Sequence, residues 1–562
     1  MKNFKKIMAL IVAMVMIVGT MSVSAFAAAG DFSSTPESSI EVSDLVAGDG
    51  AKYIQLLKED PNVTGGWNWA DGIASLVVAG ENADDPSTLG GLTIANITDG
   101  ITDAEAAAIA NAVKTGSFTN MTVTGTTASA SDLAPGLYYV AVTPGETNDY
   151  IYNPIFVGAD YYEGGNTISA SSSYTNRVIA KKQPIDVEKD MDDEKQVDVH
   201  VGDEVAFTIT TNIPSFTDAY VNKTFKIQDT LQAGLTFKEI TSFTVAGYTP
   251  VEDKDYTFAS SNSGFTYTFL DEDPEDTTAR GFLDTVLGNP LVTIKYTATV
   301  TSTADFNVTE MDNEVKLTYT HSYTTDDDEK DITDKTRHYT FSIDAGLLGT
   351  TGQSLQEHTE DLVKVGVDAN NNPIYTSNSK ERVVDESTTV AALANATFKF
   401  EAAEGDCFDN GFETINPVTT NADGELVIKG LDAGVYKLTE LTAPAGFIID
   451  TTPHYVAIIP HYDDDEDGVK YLVSYDIGWG DTIAAAKTSL VKSYTMQNDG
   501  EHTVTKIEKS NITGSDTQIK NTRGLQLPST GGMGTTLFYI IGAVLVLGAG
   551  ILLVTRRRMS AN

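Results

Sequence analysis

The body of this chain is written in short runs of Thr, Val, Tyr, Phe and Ile broken by Gly, Asn and Asp, and that pattern limits its fold more than any other feature. Val205-Ala206-Phe207-Thr208-Ile209-Thr210, Phe265-Thr266-Tyr267-Thr268-Phe269 and Val292-Thr293-Ile294-Lys295-Tyr296 are examples. Alternation with period two and β-branched or aromatic enrichment reads as half-buried strands. Such strands, with turn signals between them, predict an all-β chain of β-sandwiches. Long amphipathic helical patterns are scarce. One alanine-rich patch, Asp103 to Lys114, reads as a helix capped by Thr102.

The 562 residues allow roughly three or four domains of ~150 residues, each with its own core. A hydrophobic content of 41% is too high for a disordered acidic chain. With 79 acidic and 37 basic side chains, the net charge is −42. That balance excludes a nucleic-acid partner, whose phosphates would call for Lys and Arg. The single cysteine, Cys407, rules out an intrachain disulfide, a CxxC zinc site and a Cys-ligated iron–sulfur cluster. No metal and no cofactor is expected.

The two ends read as targeting segments. Lys2, Lys5 and Lys6 precede an apolar stretch from Ile7 to Val18 and a small-x-small site at Ala25-Phe26-Ala27, a secretory signal over residues 1–27. Twelve apolar residues are too few to span ~30 Å of hydrocarbon comfortably. At the other end, Leu527-Pro528-Ser529-Thr530-Gly531 is followed by an apolar run from Thr535 to Thr555 and then Arg556-Arg557-Arg558. That run is ~31 Å long as a helix and spans a bilayer, with the arginines on the cytoplasmic side. The pentapeptide, helix and arginines together resemble the cell-wall sorting signal of Gram-positive surface proteins. The resemblance implies that a sortase cuts between Thr530 and Gly531. Cleavage at both ends removes basic residues and no carboxylate, leaving a strongly acidic, self-repelling surface.

Composition shifts divide the chain into an N-terminal segment at 28–183, a middle segment at 184–345, a third at 346–525 and the sorting signal at 526–562. A long extracellular β-protein without disulfides needs another source of resistance to proteases and force. One route is an internal Lys–Asn amide. It requires a buried, neutral lysine, a nearby acid kept protonated by an apolar site, and a fold that holds both against the asparagine.

Two segments carry residues of that kind. In the third, Val435-Tyr436-Lys437-Leu438-Thr439-Glu440-Leu441-Thr442-Ala443-Pro444-Ala445-Gly446-Phe447 resembles the E-box strand of sortase-assembled pilins and Cna-B-type domains. The resemblance implies Glu440 as the acid, Asn521 as the last-strand asparagine and Lys364 as the first-strand lysine. In the middle segment, Ile227-Gln228-Asp229-Thr230-Leu231-Gln232-Ala233-Gly234-Leu235-Thr236-Phe237 resembles the DTLPxGLTF strand of Cna-A-like pilin domains, with Gln in place of Pro. Here the match implies Asp229 as the acid, Asn313 as the asparagine and Lys189 as the lysine. The first segment has no comparable trio.

Polymerisation would need an amine to resolve the sortase acyl-enzyme at Thr530. Arg177-Val178-Ile179-Ala180-Lys181-Lys182-Gln183-Pro184 occupies the place of the family's pilin motif, VYPKN, with Ile, Ala and Lys substituted. Aligning that motif on Val178 to Lys182 makes Lys181 the linking residue; the adjacent Lys182 is the alternative. An acidic run at Asp463, Asp465, Asp467 and Gly468 begins like an EF-hand loop but has Ser474 where the bidentate Glu belongs, and reads as a hairpin tip. Cys407 reads as a structural thiol.

The resemblance therefore implies tandem Ig-like (Cna-type) β-sandwiches between a signal peptide and a transmembrane helix. It implies a major backbone subunit of a covalent pilus or fimbria, anchored to peptidoglycan and supporting adhesion. The chain would be a substrate of enzymes and not itself an enzyme. Implied partners are a pilus-specific sortase, a housekeeping sortase, accessory pilins and further copies of the chain. A monomeric wall-anchored adhesin stalk and a wall-anchored glycan hydrolase are the alternatives, and no aromatic-lined carboxylate pair favours the hydrolase.

Overall fold

A computed structural model describes residues 38–60, 67–73, 101–159, 162–163, 166–167, 174–192, 197–274, 280–301, 308–325, 328–344, 363–377, 379–383, 389–404, 417–498, 504–511, 518–524 and 533–559. The signal segment, Cys407 and the pentapeptide Leu527, Pro528, Ser529, Thr530 and Gly531 lie outside them.

The architecture is a succession of two-sheet sandwiches. In the N-terminal part, Ser38–Ser43 lies between Tyr174–Ile179, its parallel partner, and Thr127–Leu133. A second sheet is built on Gly50–Glu59 and Gly136–Thr143. The helix Asp103–Val113 starts where the sequence places it. Thr102 accepts from the Glu105 backbone N–H while the Glu105 carboxylate accepts from Thr102, a reciprocal capping box.

The middle sandwich packs a four-stranded sheet, ordered Val187–Met191, Glu204–Asn212, Leu291–Val300 and Leu235–Val245, on a six-stranded one. The larger sheet contains Phe225–Leu231 and, beside it, Val308–Thr320. The three runs singled out above all form strands, and alternation decides which residues face the core. Val292, Ile294, Tyr296, Ala298 and Val300 are all buried on one strand. A single apolar core runs from Ile40 in the first sandwich to Tyr323 in the middle one. Gln183 and Ser215 tie the two together, with Gln183 Nε2 3.0 Å from the Ser215 carbonyl and Ser215 N 2.9 Å from Gln183 Oε1.

The strand Glu329–Asp344 changes core along its length. Ile332 packs against the first core, whereas Tyr339, Phe341 and Ile343 belong to the core of the third sandwich. The change precedes the 345/346 boundary read from composition. The edge of the six-stranded sheet is closed by Val427–Leu431, a strand from the third segment, paired to Phe341–Asp344. The middle and third sandwiches thus share hydrogen-bonded sheet.

In the third sandwich, Val363–Val367 runs parallel to Gln518–Thr522 in a four-stranded sheet. The opposing seven-stranded sheet carries Thr397–Glu404, Gly434–Thr442 and the long hairpin His454–Asp464 and Lys470–Gly480. The acidic run Asp463 to Gly468 is the tip of that hairpin, as its composition predicts. Beyond the sandwiches, Met533–Met559 is one helix, and its Tyr539–Arg557 stretch is long and apolar enough to cross a membrane.

Candidate functional site

Strand alternation carries both candidate lysines inward. On Val187–Met191, Val187 and Lys189 are buried while Glu188 between them is not. On Phe225–Leu231, Asp229 occupies an inward position in series with Phe225, Ile227 and Leu231. Asn313 takes an equivalent place on Val308–Thr320, in line with Met311, Val315 and Leu317. Three polar residues therefore stand where the pattern calls for apolar ones, on strands drawn from both sheets. Burying them unpaired would be strongly unfavourable, so they must satisfy one another.

They do. The side chains of Lys189 and Asp229 are wholly buried and in direct contact. Lys189 Nζ also donates to Asn313 Oδ1 at 2.7 Å. A fourth group, absent from the sequence reading, completes the cluster: the Tyr296 hydroxyl lies 2.7 Å from Lys189 Nζ and 2.7 Å from Asn313 Nδ2. Its inward place in the Val292–Val300 alternation was the available signal, since a buried phenol needs a polar partner. The rings of Phe207 and Tyr296 wall the amine, with centroids 5.4 and 5.3 Å from Nζ.

This apolar wall sets the protonation balance. Burial lowers the Lys189 pKa, against the opposing pull of Asp229. Burial raises the Asp229 carboxyl above the ordinary carboxylate range, against Lys189. Both shifts favour the neutral amine and the neutral acid over the ion pair. A neutral amine held against a carboxamide, beside a proton donor, is equipped for aminolysis of that amide.

The third sandwich repeats the composition with a different construction. Lys364 and Asn521 sit on the paired parallel strands of the smaller sheet, in the registers Lys364↔Ile519 and Gly366↔Asn521. Glu440 comes from the larger sheet, inward in series with Tyr436 and Leu438. Lys364 and Asn521 are completely buried and Glu440 is 5% exposed. Lys364 Nζ lies 3.2 Å from Glu440 Oε1, an ion contact without an aligned hydrogen bond. Asn521 Nδ2 donates to Glu440 Oε2 and to the Ile448 carbonyl, each at 2.8 Å. Asp450 N donates to the same Glu440 oxygen at 2.6 Å. Burial lowers the Lys364 pKa as well.

The loop after Glu440 explains part of this arrangement. A Cβ on Gly366 would lie 2.6 Å from the Phe447 ring, so only glycine there lets the Pro444-Ala445-Gly446-Phe447 turn close over the trio. Ile448 then bonds through its N–H to Thr522 O and through its carbonyl to Asn521. Neither Ile448 nor Asp450 was singled out from sequence, because backbone donors and acceptors leave no residue-type signature.

The two junction lysines differ. Lys181 is exposed, between the strands Tyr174–Ile179 and Lys182–Pro184. Lys182 Nζ donates to Asp44 O at 2.6 Å, pairs with Asp44 Oδ1 at 3.3 Å and lies over the Tyr150 ring, leaving its side chain 16% exposed. The EF-hand-like tip has its own occupant: Asp465 Oδ2 is 2.8 Å from the buried Arg337 guanidinium.

Comparison with known proteins bears on the whole chain. Residues 383–474 match the SpaA family, described as a prealbumin-like fold domain, and residues 520–560 match the LPXTG cell wall anchor motif. The chain carries a wall anchor, and its apolar helix fits a transient membrane span. It is 25% identical over 509 residues to the trypsin-resistant surface T6 protein of Streptococcus pyogenes serotype M6, covering 82% of this chain and 87% of the relative. Among solved structures, the three-domain T6 backbone pilin of that serotype superposes with a TM-score of 0.51 at 18% identity, covering 88% of this chain and all of the other. The full-length major pilin SpaD of Corynebacterium diphtheriae matches with a TM-score of 0.42 at 15% identity, over 87% of this chain and 98% of SpaD. The similarity to the T6 protein, in sequence and in fold, thus extends along most of the chain.

Proposed function

We propose that this wall-anchored chain is the backbone subunit of a covalent fibre, in which lysine side chains form amides within each molecule and between neighbours. Supporting this reading are two buried trios: in Lys189/Asp229/Asn313 the amine touches both the acid and the carboxamide, and in Lys364/Glu440/Asn521 the acid touches both the amine and the carboxamide. In each, the neutral Nζ attacks Asn Cγ and the Asn side-chain nitrogen leaves as ammonia. Asp229, which burial pushes toward its protonated form, is the acid of the first trio, and Glu440, in contact with both nitrogens, is the acid of the second. Proximity replaces an external catalyst.

Between molecules, a pilus-specific sortase would cut Thr530–Gly531 and pass the Thr530 acyl group to Lys181 of the next copy. Repetition of that heterologous contact gives an open fibre and not a closed ring. A housekeeping sortase would then join the fibre to peptidoglycan, with accessory pilins added at its ends or sides. In this reading residues 28–183, 184–345 and 346–525 are the building units, and the chain is a substrate of enzymes. The exposure of Lys181, against the largely covered side chain of Lys182, favours Lys181 as the acceptor. The test is surface extraction followed by boiling in detergent. A ladder of multimers is expected from the parent and from Lys182→Ala, and only monomer from Lys181→Ala; an undiminished ladder in Lys181→Ala would refute the assignment.

A further inference from the structure

The geometry points to Tyr296 as a catalytic residue of amide formation in the middle sandwich, carrying a proton from the attacking Lys189 nitrogen to the departing Asn313 nitrogen. The inference rests on the amide reading above and deepens it. It comes from comparing how the two trios reach their leaving groups. In the third sandwich one carboxyl spans the reaction: Glu440 Oε1 faces Lys364 Nζ, and Oε2 accepts from Asn521 Nδ2. Asp229 is one methylene shorter. Its Oδ1 contacts Lys189 Nζ, and its carboxyl is also a hydrogen-bond partner of the Tyr296 hydroxyl. The bridge between the two nitrogens is instead the Tyr296 hydroxyl, 2.7 Å from each.

The proton balance needs such a bridge. Attack of Nζ on Cγ forms the new C–N bond and leaves the former amine with one proton too many. In the planar carboxamide the Nδ2 lone pair is delocalised into the carbonyl and accepts no proton; it becomes localised and basic when Cγ becomes tetrahedral. The phenol oxygen, which accepts from both nitrogens at rest and is hydrogen-bonded to Asp229, can then take the proton from Nζ while its own proton turns from Asp229 to Nδ2. The C–Nδ2 bond breaks and ammonia departs. Tyr296 ends neutral, as it began, and the products are one secondary amide and one ammonia. Its ring is held for this task, stacked on Phe207 at 5.0 Å and edge-on to Phe265 at 4.9 Å. Both nitrogens lie within the reach required of a general acid–base.

The test follows newly made protein in time. Full-length chain from cell-free synthesis is quenched at intervals, and the Lys189–Asn313 and Lys364–Asn521 branched peptides are quantified by mass spectrometry in the same molecules. Tyr296→Phe keeps the ring and removes the hydroxyl. It is expected to slow the Lys189–Asn313 linkage by roughly 100-fold and leave the Lys364–Asn521 linkage at the parent rate. Equal rates for Lys189–Asn313 in parent and variant would overturn the assignment while leaving the amide reading intact. No Lys189–Asn313 peptide in the parent would overturn both. Should the phenylalanine variant fail to fold, difluorotyrosine at position 296 decides, since its shape is nearly the same and its phenol is more acidic. A shift of the pH–rate profile of the Lys189–Asn313 linkage alone is expected, and an unmoved profile would contradict the role.

Discussion

Lysine, aspartate and asparagine at inward strand positions are a poor choice for stability unless they react. Lys189 and Asn313 are 124 residues apart in sequence, and an amide between them closes that loop. If the chain-entropy treatment of disulfides carries over, the linkage stabilises the middle sandwich by roughly 4–5 kcal/mol. Asp229→Ala is therefore expected to abolish one ammonia loss and lower the middle sandwich's stability by at least that amount, because it also leaves Lys189 buried beside no acid. Glu440→Ala is expected to abolish the other loss and leave Lys189–Asn313 formed. Peptide mapping with thermal denaturation checks both. The acids Asp229 and Glu440 were named from their own motif strings, and Lys189, Asn313, Lys364 and Asn521 from the first- and last-strand strings that the resemblance assigns them; the structure gathers them into two buried clusters. Tyr296 was not named, because one tyrosine in an alternating strand resembles core.

At the scale of elements, the joint between the middle and third sandwiches is built from features that composition did not announce. Arg337, 2% exposed, is neutralised by Asp465 from the hairpin tip, so the run that resembles a cation loop serves as a tether. Asp465→Ala would remove an ion pair from a buried guanidinium and is expected to cost about 3–5 kcal/mol, measured as a lower denaturation midpoint for the joint. Gly430 has φ +71 and its Cβ would lie 2.2 Å from Val201 Cγ2. Gly430→Ala is thus expected to destabilise the shared strand Val427–Leu431 by about 1–3 kcal/mol.

The same joint carries a pH dependence. Burial and then the neighbouring Asp198 carboxyl push Asp432 up to about 9, with Asp203 adding to the effect. An acid raised in the folded state above its unfolded value of about 3.9 binds more protons folded than unfolded between those two pH values. Its contribution is full below about pH 4 and lost as the pH climbs to about 9. Asp432→Asn is expected to match the parent's melting temperature in acid and exceed it by a few degrees at alkaline pH; a constant gap would contradict the assignment.

For the whole molecule, the all-β class and the membrane-length helix followed from period-two alternation and the C-terminal apolar run, which are local signals. What sequence could not supply was how sandwiches meet. The exchange of core along Glu329–Asp344 depends on long-range packing of Tyr339, Phe341 and Ile343, and alternation looks the same on either side of it. With the first two sandwiches sharing a core and the last two sharing a sheet, tension on the fibre would pass through continuous packing and two covalent staples. In the middle sandwich the proposed amide would join strands of opposite sheets; in the third it would join neighbouring strands of one sheet. The most direct test is the intact mass of the folded, unpolymerised body, residues 28–530, followed by mapping of its branched peptides. A deficit of two ammonia molecules, located at Lys189–Asn313 and Lys364–Asn521, is expected; the full unmodified mass with no branched peptide would contradict the claim that these lysines become amides.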